Sequence, residues 1–304
     1  MPRRSTRGPC CGMAHRRCTA AASALCGRRC CPGTRIADSL KNSAHRVHKG
    51  DLLPRRLMCL TAHPDDEAGA FGAALLLAAE QGIETSVVCL TEGAAGSYRQ
   101  EGQTDEELAA SRREEFVDAC HALAIDEARL LKYPDGQLWE QPFLSLVGVF
   151  VEGIRRFRPH VVLTFGGEGG VNLHRDHTTV SLAATAAFHW AGRSGFFAEQ
   201  LETLPIWAPQ KLYYAATQFL STRDEEAQRG GTMPPVSLSL HLDDALMERK
   251  LAVFGKHTSQ RGVIERVRAQ FGDQMNREDY HLVATRTPVT GVEEDFWGGV
   301  VLDA

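Results

Sequence analysis

Short apolar segments alternate with longer helical segments along most of this 304-residue chain. The apolar segments have no polar face, which is typical of strands that are buried on both sides in a parallel sheet. Helices on the two faces of the sheet would cover these strands, so the pattern predicts one α/β domain with a mostly parallel sheet. The predicted strands are 57–62, 85–91, 128–133, 160–165 and 211–217, and the predicted helices are 68–82, 105–124, 143–157, 176–190 and 242–257.

Two of the predicted helices begin with capping residues. Thr104 and Glu107 match a capping box, in which each side chain accepts a hydrogen bond from the backbone N–H of the other residue. Asp243 or Asp244 precedes the last helix, where a carboxylate is expected to accept a free N–H of the first turn. A polar stretch at 218–236 lies before that helix, and we expect it to help shape a pocket.

The first 54 residues differ in composition from the rest of the chain. Residues 1–50 carry eleven Lys or Arg and one acid, and six of the nine cysteines lie in the first 31 residues. Because the stretch lacks apolar periodicity, we expect 1–54 to be a disordered, basic, Cys-rich extension and 55–304 to be the folded domain. A transit peptide and a metal-binding Cys/His tail are the alternatives that the sequence leaves open.

The remainder of the chain carries a formal charge of −14. This acidic balance disfavours nucleic acid as a partner, because phosphate binding needs a basic face. No apolar run reaches the roughly 18–20 residues that span a bilayer, and Cys59, Cys89 and Cys120 lie within apolar patterns, which is typical of reduced, cytosolic cysteines. We therefore expect a cytoplasmic protein whose main partner is not nucleic acid, and the sequence leaves open whether it forms a homo-oligomer.

Three polar clusters directly follow predicted strands. They are AHPDDE at 62–67, TEGAAGS at 91–97 and GGEGGVNLHRDH at 166–177. In Rossmann-like sheets ligands bind beyond the carboxyl ends of the strands, where the strand order reverses. We therefore expect the three clusters to form one composite site.

Two of these clusters have the composition of a metal site. His63 and Asp66 are three residues apart at one strand-to-helix turn, and His174 and His177 repeat this spacing at another. Carboxylates this crowded repel one another unless a cation lies among them, and two His with one carboxylate leave Zn²⁺ an open position. Asp66 is the expected carboxylate ligand, and the adjacent Asp65 would be free to accept a proton from a metal-activated water. For the first motif alone the alternative is a solvated turn with a helix cap, and for the second motif alone it is a pair of surface histidines without a metal.

AHPDDE together with HRDH at 174–177 resembles the PIG-L/LmbE-like zinc N-deacetylases. This family includes the N-acetylglucosaminyl-phosphatidylinositol deacetylase and the deacetylases of mycothiol and bacillithiol synthesis. The resemblance implies an LmbE-like α/β fold, one Zn²⁺ per chain and removal of an N-acetyl group from an amino sugar or its conjugate. It covers about 57–262, with supporting motifs RREE at 112–115, YPDG at 133–136 and KHTSQ at 256–260.

The resemblance also implies roles for individual residues. Asp65 resembles the general base, and His174 resembles the group that stabilises the oxyanion and helps to protonate the leaving amine. Asp176 would orient His174. The zinc ligands would be His63, Asp66 and His177.

Two further residues, Arg112 and Asp135, resemble positions that contact the sugar or its substituent. A surface ion pair with Glu115 is an equal alternative for Arg112. His257 and Gln260 would line the pocket or form a helix break and cap.

The second motif departs from the family pattern at one position, where Arg175 replaces a proline that is frequent there. This side chain should point away from the metal, so we expect little effect on metal binding and a positive charge at the pocket rim. Two other functions stay open: an amidase that acts on thiol-sugar conjugates, and a non-catalytic protein that binds a sugar or nucleotide at its Gly-rich loops.

Overall fold

The computed structural model describes residues 33–35, 54–216, 235–289 and 291–302. Within these ranges the strands form one eight-stranded sheet with the order β1-β4-β3-β2-β5-β6-β8-β7. The strands are β1 (Gly33–Arg35), β2 (Arg56–Thr61), β3 (Glu84–Thr91), β4 (Glu127–Tyr133), β5 (Val161–Phe165), β6 (Lys211–Ala215), β7 (Leu238–His241) and β8 (Arg277–Thr285).

The central strands β4, β3, β2, β5 and β6 are parallel, and both edges are antiparallel. From β2 the chain continues to β3 and β4 on one side of β2. It then returns to β5 and β6 on the other side, so the strand order reverses between β2 and β5. This reversal is the switch point at which ligands bind in such sheets. The predicted mostly parallel α/β fold is confirmed, and the five predicted strands agree with observed strands to within two residues.

The described helices form two groups around the sheet. α4 packs against α5, whereas α1, α2 and α3 all contact α6. Strands buried on both faces need this double cover, because their Val, Leu and Phe side chains point alternately to the two sides. The helices are α1 (Asp66–Gly69), α2 (Gly72–Glu80), α3 (Asp105–Ala122), α4 (Phe143–Phe157), α5 (Arg175–Trp190), α6 (Asp244–Phe254) and α7 (Arg261–Phe271).

Both predicted helix starts are confirmed. Thr104 and Glu107 form a complete capping box at the start of α3, and Asp243 accepts the N–H of Leu246 at the start of α6. None of the helices in the described ranges is long and apolar enough to span a membrane.

The predicted helix 68–82 is wrong in one respect, because the structure divides it into α1 and α2. The break at Ala70 and Phe71 turns the Phe71 ring into the core, 5.6 Å from the ring of Phe165. The glycines that flank the break allow α6 to approach closely. A Cβ on Gly72 would lie 3.1 Å from Lys250, and one on Gly69 would lie 3.3 Å from Phe254.

The expected extension at 1–54 falls mostly outside the described residues, and so does the expected insert at 218–236 apart from its last two residues. Within the extension the structure describes β1, which pairs antiparallel with β4 at the edge of the sheet. The disorder of the rest of 1–54 and the boundary of the folded domain at residue 55 stay predictions.

Candidate metal centre and active site

The site lies at the switch point, where the loop after β2 meets the beginning of α5. His63, Asp66 and His177 are buried there, and their potential ligand atoms all lie within 4.8 Å of one another. A second group, His63, His174 and Asp176, satisfies the same distance criterion. The two motifs that are more than one hundred residues apart in sequence therefore meet, as the fold prediction requires.

His177 has one ring nitrogen available for a metal ion. Its Nδ1 lies 3.0 Å from the carbonyl oxygen of Gly169, and since a carbonyl can only accept, Nδ1 carries the proton. Nε2 lies 3.2 Å from Oδ1 of Asp66. The ring stacks on Phe165 with a centroid distance of 3.9 Å and an interplanar angle of 3°. Stacking and hydrogen bonding together fix the ring orientation.

The turn itself holds Asp66 in place. Its Oδ2 accepts the backbone N–H groups of His63 at 2.7 Å and of Ala62 at 3.1 Å. Burial acts to raise the pKa of Asp66, but His177 and His63 outweigh burial and lower this pKa below its ordinary value. Asp66 is therefore ionised and directs Oδ1 toward His177.

His63 lies among carboxylates on both sides of its ring. Nδ1 is 3.7 Å from Oδ2 of Asp66, and Nε2 is 3.0 Å from Oδ1 of Asp135 and 3.3 Å from Oδ2 of Asp176. Burial acts to lower the pKa of His63, but hydrogen bonds to Asp135 and Asp176 raise it to about 10. The site therefore favours a positive charge at this position.

A dication fits this donor set. Nε2–H of His63 donates to Asp135, so the other ring nitrogen, Nδ1, faces Asp66. Nε2 of His177 also faces Asp66. Two imidazole nitrogens and one carboxylate, each supported by a further hydrogen bond, are an arrangement that suits zinc and leaves positions open. We did not expect Asp135 and Asp176 to support His63.

The environment of Asp176 differs from the expectation that it orients His174. Its carboxylate accepts the N–H groups of Gly136 at 2.7 Å and of Leu138 at 3.1 Å, and its Oδ2 also lies 3.3 Å from Nε2 of His63. What reaches His174 is the backbone N–H of Asp176, which donates to Nδ1 at 3.2 Å. The side chain therefore orients His63, and the hydrogen bond that Asp176 makes to His174 comes from its main chain.

His174 is the N-cap residue of α5 and is only partly buried. Because Nδ1 accepts a hydrogen bond, the proton of the neutral ring lies on Nε2. Burial together with the neighbouring His63 and His177 lowers the pKa of His174, so the ring is neutral near pH 7. A neutral ring with its proton on Nε2 can act as a hydrogen-bond donor to a substrate oxygen.

Asp65 is held in an unusual backbone conformation, with φ 113° and ψ −24°. Burial acts to raise the pKa of its carboxyl group and Arg112 acts to lower it, with a net pKa of about 6. Nη2 of Arg112 donates to Oδ2 of Asp65 at 3.0 Å. A carboxylate of this kind is ionised at neutral pH and can still accept a proton.

Arg112 is 3% exposed, so it does not have the surface position that the alternative of an ion pair with Glu115 requires. Its guanidinium donates to the carbonyl oxygens of Pro64 and Gly93 as well as to Asp65. Asp135 likewise faces His63 and accepts the N–H of Ala95 at 2.8 Å. The structure thus places both expected substrate contacts against other site residues.

Sequence reasoning missed the pairing of Glu67 with His257. Both side chains are fully buried, and Nε2 of His257 lies 2.6 Å from Oε1 of Glu67. Burial acts to lower the pKa of His257, but the carboxylates of Glu67 and Asp65 outweigh burial and raise it. Two signals could have indicated the pair: a glutamate next to a buried aspartate, and the histidine of the KHTSQ motif.

Arg175 lies at the rim of the site. Its guanidinium carbon is 4.9 Å from the centre of the Trp139 ring, which is 53% exposed. The side chain therefore leaves the metal-facing side of α5 free, in agreement with the expectation from the motif.

Residues 58–188 match the family model described as PIG-L, GlcNAc-PI de-N-acetylase. A probable N-acetyl-alpha-D-glucosaminyl L-malate deacetylase 2 from Bacillus cereus is 32% identical over 140 residues, which cover 44% of this chain and 61% of the relative. A 1D-myo-inositol 2-acetamido-2-deoxy-alpha-D-glucopyranoside deacetylase from Thermobispora bispora is 27% identical over 206 residues, which cover 60% of this chain and 66% of the relative. The chain therefore spans less than two thirds of each relative.

Two solved structures share the fold. N,N'-diacetylchitobiose deacetylase from Pyrococcus horikoshii has a TM-score of 0.61 at 20% identity, covering 75% of this chain and 84% of that structure. GalB, the 4-carboxy-2-hydroxymuconate hydratase from Pseudomonas putida, has a TM-score of 0.59 at 20% identity, covering 78% and 99%. One is named a deacetylase and the other a hydratase, so these structures show the fold alone. The family match, by contrast, includes both motifs of the site, because residues 58–188 of this chain are similar to the PIG-L family model across both of them.

Proposed function

We propose that this chain is a zinc-dependent hydrolase that removes the N-acetyl group from an amino sugar or an amino-sugar conjugate. The observation that carries the proposal is the close grouping of His63, Asp66 and His177 with the carboxylate of Asp65 in the same turn. The family match and the deacetylase relatives support the reaction class. Both relatives are named for N-acetylated glucosamine compounds, which supports a small N-acetylated sugar as the substrate.

The metal would be held by His63, Asp66 and His177. When bound, zinc would act as a Lewis acid toward the amide carbonyl and would acidify a water molecule. Asp135 and Asp176 would keep Nε2 of His63 protonated and so keep Nδ1 available as a ligand.

Asp65 would act as the general base. It would accept a proton from the attacking water as the oxygen forms its bond to the carbonyl carbon. The proton would then pass to the amide nitrogen, directly or through His174, as the C–N bond breaks. Acetate and a free amine would be the products. Arg112 would keep Oδ2 of Asp65 oriented throughout these steps.

His174 would stabilise the carbonyl oxygen as it gains negative charge. Its neutral ring offers Nε2–H as a donor, since Nδ1 accepts the N–H of Asp176. A donor that is already oriented needs no reorganisation as the negative charge develops on the carbonyl oxygen.

The first test combines metal analysis with acetate release from a set of N-acetylated amino-sugar conjugates. We expect His177→Ala to lose bound zinc and activity together. Asp65→Asn should retain one zinc per chain and lose about 10²–10⁴-fold in kcat, the contribution of a positioned general base. His189→Ala, at the exposed far end of α5, is the matched control and should change neither quantity. Full zinc content and activity in His177→Ala would contradict the proposal.

A further inference from the structure

Glu67 bridges two parts of the molecule within the core. Its Oε1 lies 2.6 Å from Nε2 of His257, and its Oε2 accepts the backbone N–H of Asp65 at 3.0 Å. Both Glu67 and His257 are fully buried. Each oxygen of this carboxylate therefore has a defined partner, and one partner belongs to the proposed general base.

The backbone of Asp65 requires such support. Its φ of 113° is rare for a residue with a Cβ, and conformations of this kind persist only where the surroundings impose them. Arg112 holds the residue from one side through the side-chain Oδ2 and the carbonyl of Pro64. Glu67 holds it from the other side through the backbone N–H.

His257 is itself fixed by the elements around it. The two residues that follow it are tied to α3, because Glu115 accepts hydrogen bonds from Thr258 Oγ1 at 2.7 Å and from the N–H and Oγ of Ser259 at 2.7 Å. α3 also carries Arg112, three residues before Glu115. One helix thus supports both groups that hold Asp65, Arg112 directly and Glu67 through His257.

We propose that the buried Glu67–His257 pair is a positioning device that holds Asp65 in the conformation needed to accept a proton. The inference rests on the proposed function, in which Asp65 is the general base. Glu67 and His257 are positioning residues, because neither contacts the substrate or the reacting atoms in this scheme. The device works through hydrogen-bond geometry, by fixing where the N–H of Asp65 lies.

A second buried ion pair provides a matched control. Glu278 on β8 lies 2.7 Å from Nζ of Lys250 and accepts the N–H groups of Ala73 at 2.7 Å and Ala74 at 3.0 Å. Like Glu67, it is a buried carboxylate that joins a cation to backbone N–H groups at a helix start, but it does not contact Asp65. A purely structural role for both pairs predicts the same result for Glu67→Gln and Glu278→Gln.

The kinetic test compares these variants with Glu67→Ala, His257→Ala and His257→Gln in the zinc-loaded full-length protein. We expect Glu67→Ala and His257→Ala to lose about 10²-fold in kcat, the effect of displacing a reacting group by about 1 Å. KM should change by less than about threefold, and zinc content should stay at the wild-type level. Glu67→Gln and His257→Gln, which keep one hydrogen bond of the pair, should recover part of the loss. Glu278→Gln should lower only the melting temperature.

The structural test does not depend on activity. In crystal structures of Glu67→Gln and Glu67→Ala, we expect the φ of Asp65 to leave its positive value in the alanine variant and the contact of Asp65 with Arg112 to lengthen. An unchanged Asp65 in Glu67→Ala would overturn the positioning role, and so would loss of kcat in Glu278→Gln equal to that in Glu67→Gln. If the wild-type protein releases no acetate from any substrate, the proposed function fails while the crystallographic result still decides whether the pair positions Asp65.

Discussion

At the scale of single residues, the site contains four neighbouring carboxylates, and each of them contacts a histidine or an arginine. Asp66, Asp135 and Asp176 all contact the ring of His63, and Asp65 has Arg112 as a charged partner. Because Arg112 takes up part of the charge of Asp65, this carboxylate does not need to turn toward the metal position. The roles that we propose for the four neighbouring acids, as ligand, support and base, follow from the side chain that each one contacts.

Gly93 tests the contribution of Arg112. It has φ +70°, its carbonyl accepts from Nη1 of Arg112 at 3.0 Å, and a Cβ there would overlap the guanidinium. We expect Gly93→Ala to displace Arg112 from Asp65 and to lower kcat by about 10–100-fold. Gly102 has φ +79° and open space where a Cβ would lie, so Gly102→Ala imposes the same backbone strain without the overlap. Equal kcat values for the two variants, measured by acetate release, would contradict the role given to Arg112.

His160 predicts a dependence of stability on pH away from the site. It is 1% exposed, its Nδ1 accepts the N–H of Arg56 at 3.2 Å, and burial with Arg56 and Arg158 lowers its pKa to about 4. Since the unfolded chain binds this proton near pH 6.5, the contribution of His160 is complete above pH 6.5 and is lost as the pH falls toward 4. The loss should be about 3 kcal/mol of unfolding free energy.

The measurement is urea unfolding between pH 7 and pH 4.5 of wild type and of His160→Asn, whose amide oxygen can accept the same N–H. The free energy of unfolding of the variant should fall less steeply below pH 6.5, so the difference between the two proteins should narrow as the pH falls. Parallel curves would show that His160 is not the group that titrates.

At the residue scale, the sequence predicts which side chains meet but not what each one contacts. His63, Asp66 and His177 could be grouped because their motifs follow strands whose carboxyl ends share one sheet edge. The partners of Asp176 could not be predicted, because they are backbone N–H groups of the loop after β4, and a loop path is not encoded in residue spacing. Glu67 and His257 are 190 residues apart, and a charged pair in the core gives no periodic signal.

At the scale of secondary-structure elements, α3 links the proposed base to the rest of the fold, so its ends matter. The helix closes with a Schellman motif, in which the N–H of Ile125 bonds to Cys120 O at 3.0 Å and the N–H of Ala124 bonds to His121 O at 3.0 Å. Ala124 adopts φ 54° there. A left-handed conformation favours glycine, because a Cβ is crowded in it.

We therefore expect Ala124→Gly to raise the unfolding free energy by about 1 kcal/mol, since the relief of left-handed strain exceeds the extra backbone entropy of glycine. The same substitution in the interior of α3, Ala110→Gly, should lower the unfolding free energy by about 1 kcal/mol. Chemical denaturation of both variants measures the two changes in unfolding free energy, which should have opposite signs. A destabilised Ala124→Gly would show that another contact fixes the end of the helix.

Sequence patterns indicate the elements that are apolar throughout and miss those stabilised by buried charge. The sequence pattern does not predict β8, because this strand contains two buried acids, Glu278 and Asp279. Lys250 of α6 offsets the charge of Glu278. The division between α1 and α2 is also not indicated, because 68–82 has continuous helical composition and the break comes from the packing of Phe71 and α6. In both cases tertiary contacts override the local pattern.

At the scale of the whole molecule, the sheet topology brings the residues of the site together, and the last described segment packs against the sheet. A structure named as a hydratase shares this fold, so the fold alone does not define the chemistry of the site. The last described segment, 291–302, packs on the sheet through Phe296 and Trp297. Its Glu293 contacts Nζ of Lys211 on β6, which is completely buried, and accepts a hydrogen bond from Tyr213 OH.

Glu293 therefore fixes the last described segment to β6 of the sheet. Glu293→Ala leaves a buried lysine without its anion and should lower the unfolding free energy by about 3–5 kcal/mol. Replacing all three polar groups, in Lys211→Met/Tyr213→Phe/Glu293→Leu, removes the charges together and should restore most of that loss, because a buried ion pair and apolar side chains of similar volume have similar stability. Urea unfolding of the single and triple variants measures both effects. If the triple variant is as unstable as Glu293→Ala, packing by Glu293 rather than its charge holds the segment, and the balance of charges in the core is not what closes this fold.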